Sequence, residues 1–318
     1  METIIDKNSC FDIQKTPVFA RVWQQLRRHY LLYLMCIPGI LYFILFRYGP
    51  MWGILFAFQD YNIFKGFWES EWVGLAHFIR FFNSPAFSVL MVNTLVISLL
   101  NIVFAFPAPI ILALLLNEVR LAWFKRSIQT LIYIPHFISW VIVASMTFML
   151  LNGGGPVNSL LAIFGFDTVP FLTSIDTFRP MIVLQGIWRG AGFGTIIFLA
   201  ALAGVNVELY EASIVDGASR LKQCWYITLP ALRSVIILLL ILQMGSILET
   251  GFDQLFLMGN AANRSVSDVL AVFVFREGVV GGNFSYTTAI GLFQSIIGLI
   301  FVLGADRLAK RVGEFGIF

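Results

Sequence analysis

Six long, mostly apolar stretches alternate with polar connections along this chain. They cover residues 30–46, 87–116, 128–151, 180–205, 235–258 and 286–303. A membrane-spanning α-helix needs about 20 predominantly apolar residues, and each stretch approaches or exceeds that length. The pattern therefore predicts an all-α integral membrane protein with six transmembrane helices.

Composition agrees with a membrane protein and excludes several functional classes. Hydrophobic residues make up 58% of the chain and charged residues only 12%, too few to solvate a globular surface. The net charge is +3, and no basic run interleaved with aromatic residues indicates a nucleic-acid partner. Cys10, Cys36 and Cys224 lie far apart in the sequence, so neither a metal site nor a disulfide framework is predicted.

The positions of lysine and arginine predict the orientation. If residues 1–29, 118–127, 205–234 and 305–318 share one side of the membrane, that side holds 14 of the 21 lysines and arginines, and the other side holds 6. Cytoplasmic loops carry the excess of these residues. Both termini and the polar stretch 205–234 are therefore predicted to be cytoplasmic.

The polar stretch is patterned. Tyr210, Ile214, Ala218 and Leu221 recur at spacings of four, four and three, which predicts one apolar face of a short amphipathic helix. Gly217 is expected to turn the backbone, and Leu229-Pro230 is expected to end the next helical turn, because proline lacks the donor that a continuing helix needs. The stretch is predicted to form a helix–turn–helix hairpin.

Three short motifs in this stretch carry a family resemblance. Glu211-Ala212-Ser213, Asp216-Gly217-Ala218 and Ile227-Thr228-Leu229-Pro230 resemble the cytoplasmic EAA loop of permease subunits in binding-protein-dependent ABC importers. The chain departs from that pattern at Ser213, where alanine is usual, and at Ser234, where a further proline is frequent. The resemblance implies that Glu211, Ala212, Ser213, Asp216, Gly217, Ala218, Leu229 and Pro230 form the contact with an ATPase.

The resemblance extends over most of residues 30–318. The runs IYIPHFISWVIVA at 132–144, LAALAGVNVELYEA at 199–212 and GEFGIF at 313–318 resemble the polysaccharide-type, LplB-like branch of the maltose-family (MalF-like) sugar permeases. That branch implies a MetI-like type I importer fold. It also implies a second homologous permease forming a heterodimer, two ATP-binding subunits and an extracytoplasmic solute-binding protein.

The same resemblance implies which parts of the machine lie outside this chain. ATP and Mg²⁺ would be bound by the partner ATPases, because no G-x-x-x-x-G-K-[ST] sequence occurs in it. The expected protein is a non-catalytic subunit without a cofactor or metal of its own, in a bacterial inner or plasma membrane. Its expected parts are a tail (1–29), a first transmembrane helix (30–47), an external interfacial loop (48–86), a permease core (87–304) that includes the coupling loop (205–234), and a second tail (305–318).

Polar and aromatic side chains recur inside four of the predicted spans. The candidates for a substrate path are His136 and Trp140 in the third span, Gln185, Trp188 and Arg189 in the fourth, Gln243, Ser246, Glu249 and Asp253 in the fifth, and Gln294 in the sixth. Their spacing predicts a common face on each helix. Because charges at the bilayer centre cost about 2.5–3.5 kcal/mol, these faces are expected to line a central path. Hydrogen-bonding groups mixed with aromatic rings suit an oligosaccharide.

Alternatives to each interpretation stay open. The polar residues can instead join helices, Arg189 can pair with Glu249 or with a uronic carboxylate, and His136 can simply be packed. Gly190, Gly192 and Gly194 favour close helix packing over a nucleotide loop, since no strand precedes them. For the whole chain, the main alternative is an ion-gradient-driven secondary transporter. An intramembrane enzyme is disfavoured, because no HExxH or Ser-Lys arrangement occurs.

Overall fold

The computed structural model describes residues 27–249 and 251–311, together with Gly313 and Gly316. Most of the predicted amino-terminal tail (1–29) and part of the carboxyl-terminal tail (305–318) lie outside the described residues. The chain forms two compact units, of residues 1–55 and residues 56–318.

Six helical segments among the described residues are long and apolar enough to cross a membrane. They are Tyr30–Phe58, Pro85–Glu118, Trp140–Ile163, Ile175–Ala203, Arg220–Gly245 and Phe284–Arg311. The predicted all-α fold with six transmembrane helices is therefore confirmed.

The first unit holds helix α1 (Tyr30–Phe43), which contains Pro38 and has no buried residue. A π-helical turn, Ile44–Tyr48, follows it, and a 3₁₀ helix, Gly49–Phe58, continues past the unit's end. Helical backbone thus extends beyond residue 47, where the sequence predicts the first transmembrane helix to stop.

The second unit begins with two short antiparallel strands, in which Gln59 lies opposite Trp72. Its elements are β1 (Gln59–Asp60), α2 (Gly66–Glu69), β2 (Glu71–Trp72), α3 (Ala76–Phe82), α4 (Pro85–Leu100), α5 (Pro107–Glu118), α6 (Ala122–Tyr133), α7 (Trp140–Leu151), α8 (Pro156–Ile163), α9 (Ile175–Ala203), α10 (Val207–Val215), α11 (Arg220–Gln223), α12 (Leu229–Gly245), α13 (Phe252–Met258), α14 (Arg264–Ser267), α15 (Leu270–Val274) and α16 (Phe284–Arg311). Further π-helical turns lie at Asn101–Ala105, Cys224–Thr228 and Phe275–Val280, and a 3₁₀ turn lies at Ile134–Phe137.

Helix α9 supplies buried apolar residues to two of three core clusters. Near its start, Phe178 and Ile182 pack with Leu255 of α13. Near its end, Phe198 packs with residues of α5 and with Leu232 of α12. The third cluster joins α3, α4, α15 and α16. The long helix α9 is therefore packed at both ends, which fixes the polar residues along its middle.

The predicted third span, 128–151, is wrong at its start. Helix α6 ends at Tyr133, the chain passes through a 3₁₀ turn that contains Pro135, and α7 begins only at Trp140. Ser139 caps α7 by accepting a hydrogen bond from the Ile142 amide at 3.4 Å. Pro135 cannot donate a helical hydrogen bond, and the serine cap favours a new start, so one apolar run forms two helices.

The predicted fifth span, 235–258, is also wrong. The membrane helix runs over Arg220–Gly245, and Gly251 takes a left-handed conformation with φ +62° before α13 begins. Backbone carbonyls released by this break need partners in a membrane. Ser98 Oγ donates to the Ile247 carbonyl, and Gln294 Nε2 donates to the Leu248 carbonyl at 3.0 Å. The break is thus built into the packing.

Candidate functional site

The polar stretch folds into a hairpin whose turn depends on Gly217. Asn206 caps the start of helix α10, and its side chain accepts a hydrogen bond from the Glu208 amide at 3.0 Å. At the other end the Ala218 amide donates to the Ser213 carbonyl at 2.9 Å, and the Gly217 amide donates to the Ile214 carbonyl at 3.0 Å. With φ +74° at Gly217, this is a Schellman ending. The predicted turn at Gly217 is confirmed.

A partly buried set of hydrogen bonds, which we call the clasp, ties α10 to the following helix. Gln223 Nε2 donates to Ser213 Oγ at 2.8 Å, and Ser213 Oγ donates to the Tyr210 carbonyl at 2.7 Å. The Tyr210 hydroxyl lies 3.0 Å from Thr228 Oγ1. Gln223 and Thr228 are buried. The clasp therefore consists of Tyr210, Ser213, Gln223 and Thr228, and it fixes the hairpin to the start of the membrane helix.

The four residues of the predicted apolar face do not lie on one helix, because α10 ends at Val215 and α11 begins only at Arg220. Ile214 is 58% exposed and Leu221 is 71% exposed, and the neighbouring Val215 is also exposed. The inward side is instead the polar clasp. The hairpin thus presents an apolar surface, which we define as Ile214, Val215 and Leu221, flanked by the exposed Glu211 and Asp216.

The expectation that Leu229-Pro230 ends a helical turn is wrong. Pro230 lies inside the helical segment Arg220–Gly245. In the π-helical turn before it, the Leu229 amide donates to the Cys224 carbonyl, five residues earlier. This wider turn accommodates a proline ring that would clash with a regular preceding turn. The helix therefore leads from the hairpin into the membrane without a stop.

A cavity of about 390 Å³ lies between α9, α12 and the break after α12. Three of the path candidates, Gln243, Ser246 and Glu249, line it together. The rest of its lining is Asn101, Ala105, Phe106, Pro109, Gly186, Gly190, Ala191, Gly251 and Gln254. Gly186 and Gly190 have nothing within 4 Å of where a Cβ would lie, so they keep this side of α9 open. The cavity combines amide, hydroxyl and carboxylate groups with apolar walls.

Sequence reasoning missed Asn101 and Gln254 in this cavity. Gln254 Nε2 donates to the Ile182 carbonyl at 2.8 Å and to Gln185 Oε1 at 2.9 Å. Gln185 in turn donates to Thr147 Oγ1 at 2.6 Å. Helical spacing counted from Gln243 leads to Asp253 instead of Gln254, and the break in the helix makes that count invalid.

Arg189, Trp140 and His136 do not line the cavity. The Arg189 guanidinium carbon lies 4.7 Å from the centre of the Trp140 ring, and Nε donates to the Ile138 carbonyl at 2.9 Å. The His136 ring stacks on Phe193 at 3.9 Å. No ion pair between Arg189 and Glu249 occurs in the part of the chain that the structure describes. Arg189 therefore holds the turn before α7.

The remaining candidates do not line this cavity, and the path across four helices stays a prediction. Gln294 is buried and donates to the Leu248 carbonyl. Trp188 is 46% exposed and shares a shallow pocket with Gln185 and α7. Asp253 is exposed in the first turn of α13 and does not line the cavity.

The glycines of α9 differ in how closely neighbouring elements approach them. A Cβ on Gly192 would lie 1.9 Å from the Ile132 carbonyl oxygen, and one on Gly194 would lie 3.0 Å from Pro109. Close helix packing is confirmed at these two positions. Gly190 instead borders the cavity.

Comparisons with known proteins agree with this architecture. Residues 105–314 match the family described as the binding-protein-dependent transport system inner membrane component. The chain belongs to this family. The permease is 55% identical to the polygalacturonan/rhamnogalacturonan transport system permease protein YteP of Bacillus subtilis (strain 168), over 90% of both chains. It is 53% identical to protein LplB of the same organism, over 92% of both chains.

A solved structure gives the same result. A chain in the crystal structure of a bacterial alginate ABC transporter, in complex with an alginate pentasaccharide-bound periplasmic protein, is 38% identical to the permease. The TM-score is 0.87, with 93% of this chain and 100% of that chain covered. The predicted MetI-like ABC permease fold and the resemblance to the LplB-like branch are confirmed.

The permease is thus a non-catalytic membrane subunit of an ABC transporter, and separate ATPase subunits hydrolyse ATP. Membership of this family also implies a solute-binding protein as a partner. The ion-gradient-driven carrier, which was the main alternative, is not supported.

Proposed function

We propose that this permease imports acidic oligosaccharides, namely uronate-containing fragments of polysaccharides, that an extracytoplasmic solute-binding protein delivers. The observation that carries the oligosaccharide class is the 390 Å³ cavity, in which Gln243, Ser246 and Gln254 present hydrogen-bonding groups between apolar walls; the acidic class is supported by the relatives' transporters. Sugars need hydrogen bonds at their edges and apolar contact at their faces. Polygalacturonan and alginate, which name the relatives' transporters, are both polymers of uronic acids.

The energy for import enters through the hairpin. The Ile214, Val215 and Leu221 surface, flanked by Glu211 and Asp216, is an exposed apolar patch with a charged rim, which is how a protein-binding surface is composed. The proposed contact residues are Glu211, Ala212, Ser213, Asp216, Gly217 and Ala218, and Leu229-Pro230 carries the contact into the membrane helix. Each of two partner ATPases binds ATP and Mg²⁺. A second, homologous permease completes a heterodimer.

The proposed location is a bacterial inner or plasma membrane with both termini cytoplasmic. Residues 48–86 then form an external interfacial loop, and residues 87–304 form the permease core with the coupling loop at 205–234. The excess of lysine and arginine in the assigned cytoplasmic segments supports this orientation. Single cysteines placed at Ser219 and at Lys65, in a variant without the native cysteines, would test it. A membrane-impermeant maleimide added to intact cells should label the cysteine at position 65 only, and labelling of the cysteine at position 219 would refute the orientation.

The transport experiment uses the complete complex in liposomes with its solute-binding protein. Trigalacturonate should be taken up when ATP is supplied to the ATPase side, and it should stimulate ATP hydrolysis. Uptake of neutral galactotriose in preference to trigalacturonate would refute the acidic substrate class. Uptake without the ATPase subunits would refute the ABC mechanism.

Gly217→Pro tests the hairpin in the same system. Proline fixes φ near −65°, whereas Gly217 requires +74°. The variant should insert and assemble normally but lose sugar-stimulated ATP hydrolysis. Retained stimulation would contradict the coupling role of the turn.

A further inference from the structure

The 390 Å³ cavity between α9 and α12 leaves the recognition of an acidic sugar unexplained. Glu249 is the charged residue of its lining, and the lining contains no lysine or arginine among the described residues. A carboxylate there repels the carboxylates of a uronate. A cationic group for the substrate must therefore lie elsewhere in the transporter.

A second cavity, of about 290 Å³, lies on another side of α13. Gln254 of α13 borders the first cavity, while Leu255 and Phe256, the next two residues, border the second. Arg264, Asp268 and Arg276 also line the second cavity, from α14 and the segments that follow it. One short helix thus separates the two.

The charges of this second cavity do not cancel. Arg276 makes two hydrogen bonds to the Asp268 carboxylate, at 2.9 and 3.1 Å. Arg264 reaches the same carboxylate only through Nε, at 3.5 Å, and its side chain is 59% exposed. The terminal nitrogens of Arg264 have no hydrogen-bond partner within the described residues. Two guanidinium groups against one carboxylate leave a net positive charge, and Arg264 can still donate.

The backbone that carries these groups is held in place by buried amides. Asn93 Nδ2 donates to the Ser265 and Asp268 carbonyls at 2.9 and 3.0 Å, and Arg179 donates to Asn93 Oδ1 at 2.8 Å. Asn263, which is fully buried, donates to the Leu172 and Met258 carbonyls. The backbone that carries Arg264 and Asp268 is therefore fixed, which lowers the cost of ordering this part of the cavity when a ligand binds.

Aromatic rings complete the lining. Phe256 and Phe275 border the cavity, with ring centres 5.2 Å apart, and Phe256 is 47% exposed. Aromatic faces beside hydrogen-bond donors suit a pyranose ring. Whole-ligand pockets measure about 300–1,000 Å³, so a cavity of 290 Å³ accommodates a single sugar unit instead of a whole oligosaccharide.

We propose that this second cavity is a subsite for one uronate residue of the substrate, with Arg264 donating to its carboxylate and Phe256 contacting its ring. The inference rests on the acidic substrate class of the proposed function. Arg276 keeps Asp268 neutralised, so that the carboxylate of the protein does not repel that of the sugar. The subsite supplies the cation that the Glu249 cavity lacks.

Calorimetric titration of the assembled transporter in nanodiscs, without the solute-binding protein, tests the subsite. Trigalacturonate should bind, and Arg264→Gln should weaken it by about tenfold, the order that a charge-assisted hydrogen bond contributes. Galactotriose, which has no carboxylate, should bind both proteins equally. Arg264→Lys should recover part of the affinity, because it restores the charge but not the planar guanidinium.

Lys65→Gln is the matched control, since Lys65 is an exposed cation outside the cavity. It should leave trigalacturonate binding unchanged. Absence of binding by the unaltered transporter, or an equal dissociation constant in Arg264→Gln, would overturn the subsite. Loss of the partner permease or of solute-binding-protein docking in Arg264→Gln, with sugar affinity unchanged, would identify the cavity as a protein interface instead. Failure of the proposed function appears separately, as absent trigalacturonate uptake by the unaltered system.

Discussion

The clasp predicts an uncommon pair of mutational effects at Ser213 and Gln223. Ser213→Ala removes the hydroxyl that accepts from Gln223 Nε2 at 2.8 Å. Gln223 is 3% exposed, so its amide is left buried without that partner. Gln223→Leu in the same protein removes the stranded amide and keeps a side chain of similar size. The second substitution should therefore correct the first.

The size of the expected destabilisation follows from the burial of the Gln223 side chain. A buried donor left without a partner costs about 1–3 kcal/mol, and this cost falls on the contact between α10 and the membrane helix. Replacing both partners with apolar groups can be nearly neutral. The interaction energy of the double-mutant cycle is thus expected to lie between about 0.5 and 3 kcal/mol.

Hydrogen–deuterium exchange on the assembled transporter in nanodiscs measures this effect. A loss of 1–3 kcal/mol in local opening free energy should accelerate exchange in residues 207–230 by about 5- to 150-fold in Ser213→Ala. Peptides from α4 serve as the internal reference, because that helix does not contribute to the clasp. Sugar-stimulated ATP hydrolysis should fall in the single variant and recover in the double variant.

Two results would refute this reasoning. Unchanged exchange in Ser213→Ala would show that the Gln223 bond does not hold the hairpin. A double variant that exchanges as fast as Ser213→Ala would show that the stranded amide is not the cause of the loss.

Three further predictions concern single positions. Gly217→Ala should destabilise the hairpin by about 1–2 kcal/mol, because φ is +74° there although a Cβ would meet nothing within 4 Å; thermal unfolding would show this, and an unchanged midpoint would contradict it. Gly192→Ala should lower the melting temperature by forcing α9 away from Ile132, whereas Gly190→Ala, which faces the cavity, should not. Arg189→Ala and Arg189→Lys should both lower thermal stability, because neither preserves the bond from Nε to the Ile138 carbonyl together with planar stacking on Trp140; full stability in either variant would contradict this.

Hydropathy predicted the membrane helices well where an apolar run coincides with one helix. Residues 180–205 correspond closely to α9, because a long buried helix needs an apolar run of that length. The third and fifth runs failed for different reasons. The third run breaks at Pro135 and the capping Ser139, local signals that a count of apolar residues does not register. The fifth run breaks after Gly245, where Ser98 and Gln294 of distant helices donate to the Ile247 and Leu248 carbonyls, and no local pattern contains that information.

The candidate substrate path shows the same limit of prediction from local sequence patterns. Gln243, Ser246 and Glu249 were grouped by helical spacing and do share a cavity, although Ser246 and Glu249 lie past the end of α12. Gln254 could be identified as a lining residue only once the break was known, because the left-handed backbone at Gly251 changes the direction of the chain before α13 begins. In the hairpin, the Asp216-Gly217-Ala218 motif predicted the turn at Gly217. The reason for a serine at position 213, which accepts a hydrogen bond from the buried Gln223, is visible only in the structure.

The connection between the hairpin and the cavity is a single helix. The segment Arg220–Gly245 has 26 residues, which at 1.5 Å per residue spans about 39 Å. Gln223 and Thr228 anchor its first turns to α10 through the clasp, and Gln243 borders the cavity at its far end. A rigid helix can carry a displacement along its axis, so we expect a movement of the hairpin to reach the cavity wall through this segment. The break after Gly245 is then where we expect the displacement to pass into α13, whose Gln254 donates to Gln185 of α9 and whose Phe256 borders the second cavity. We therefore expect movement imposed at one end of this helix to change both cavities together, and we expect a weakened clasp to reduce that change.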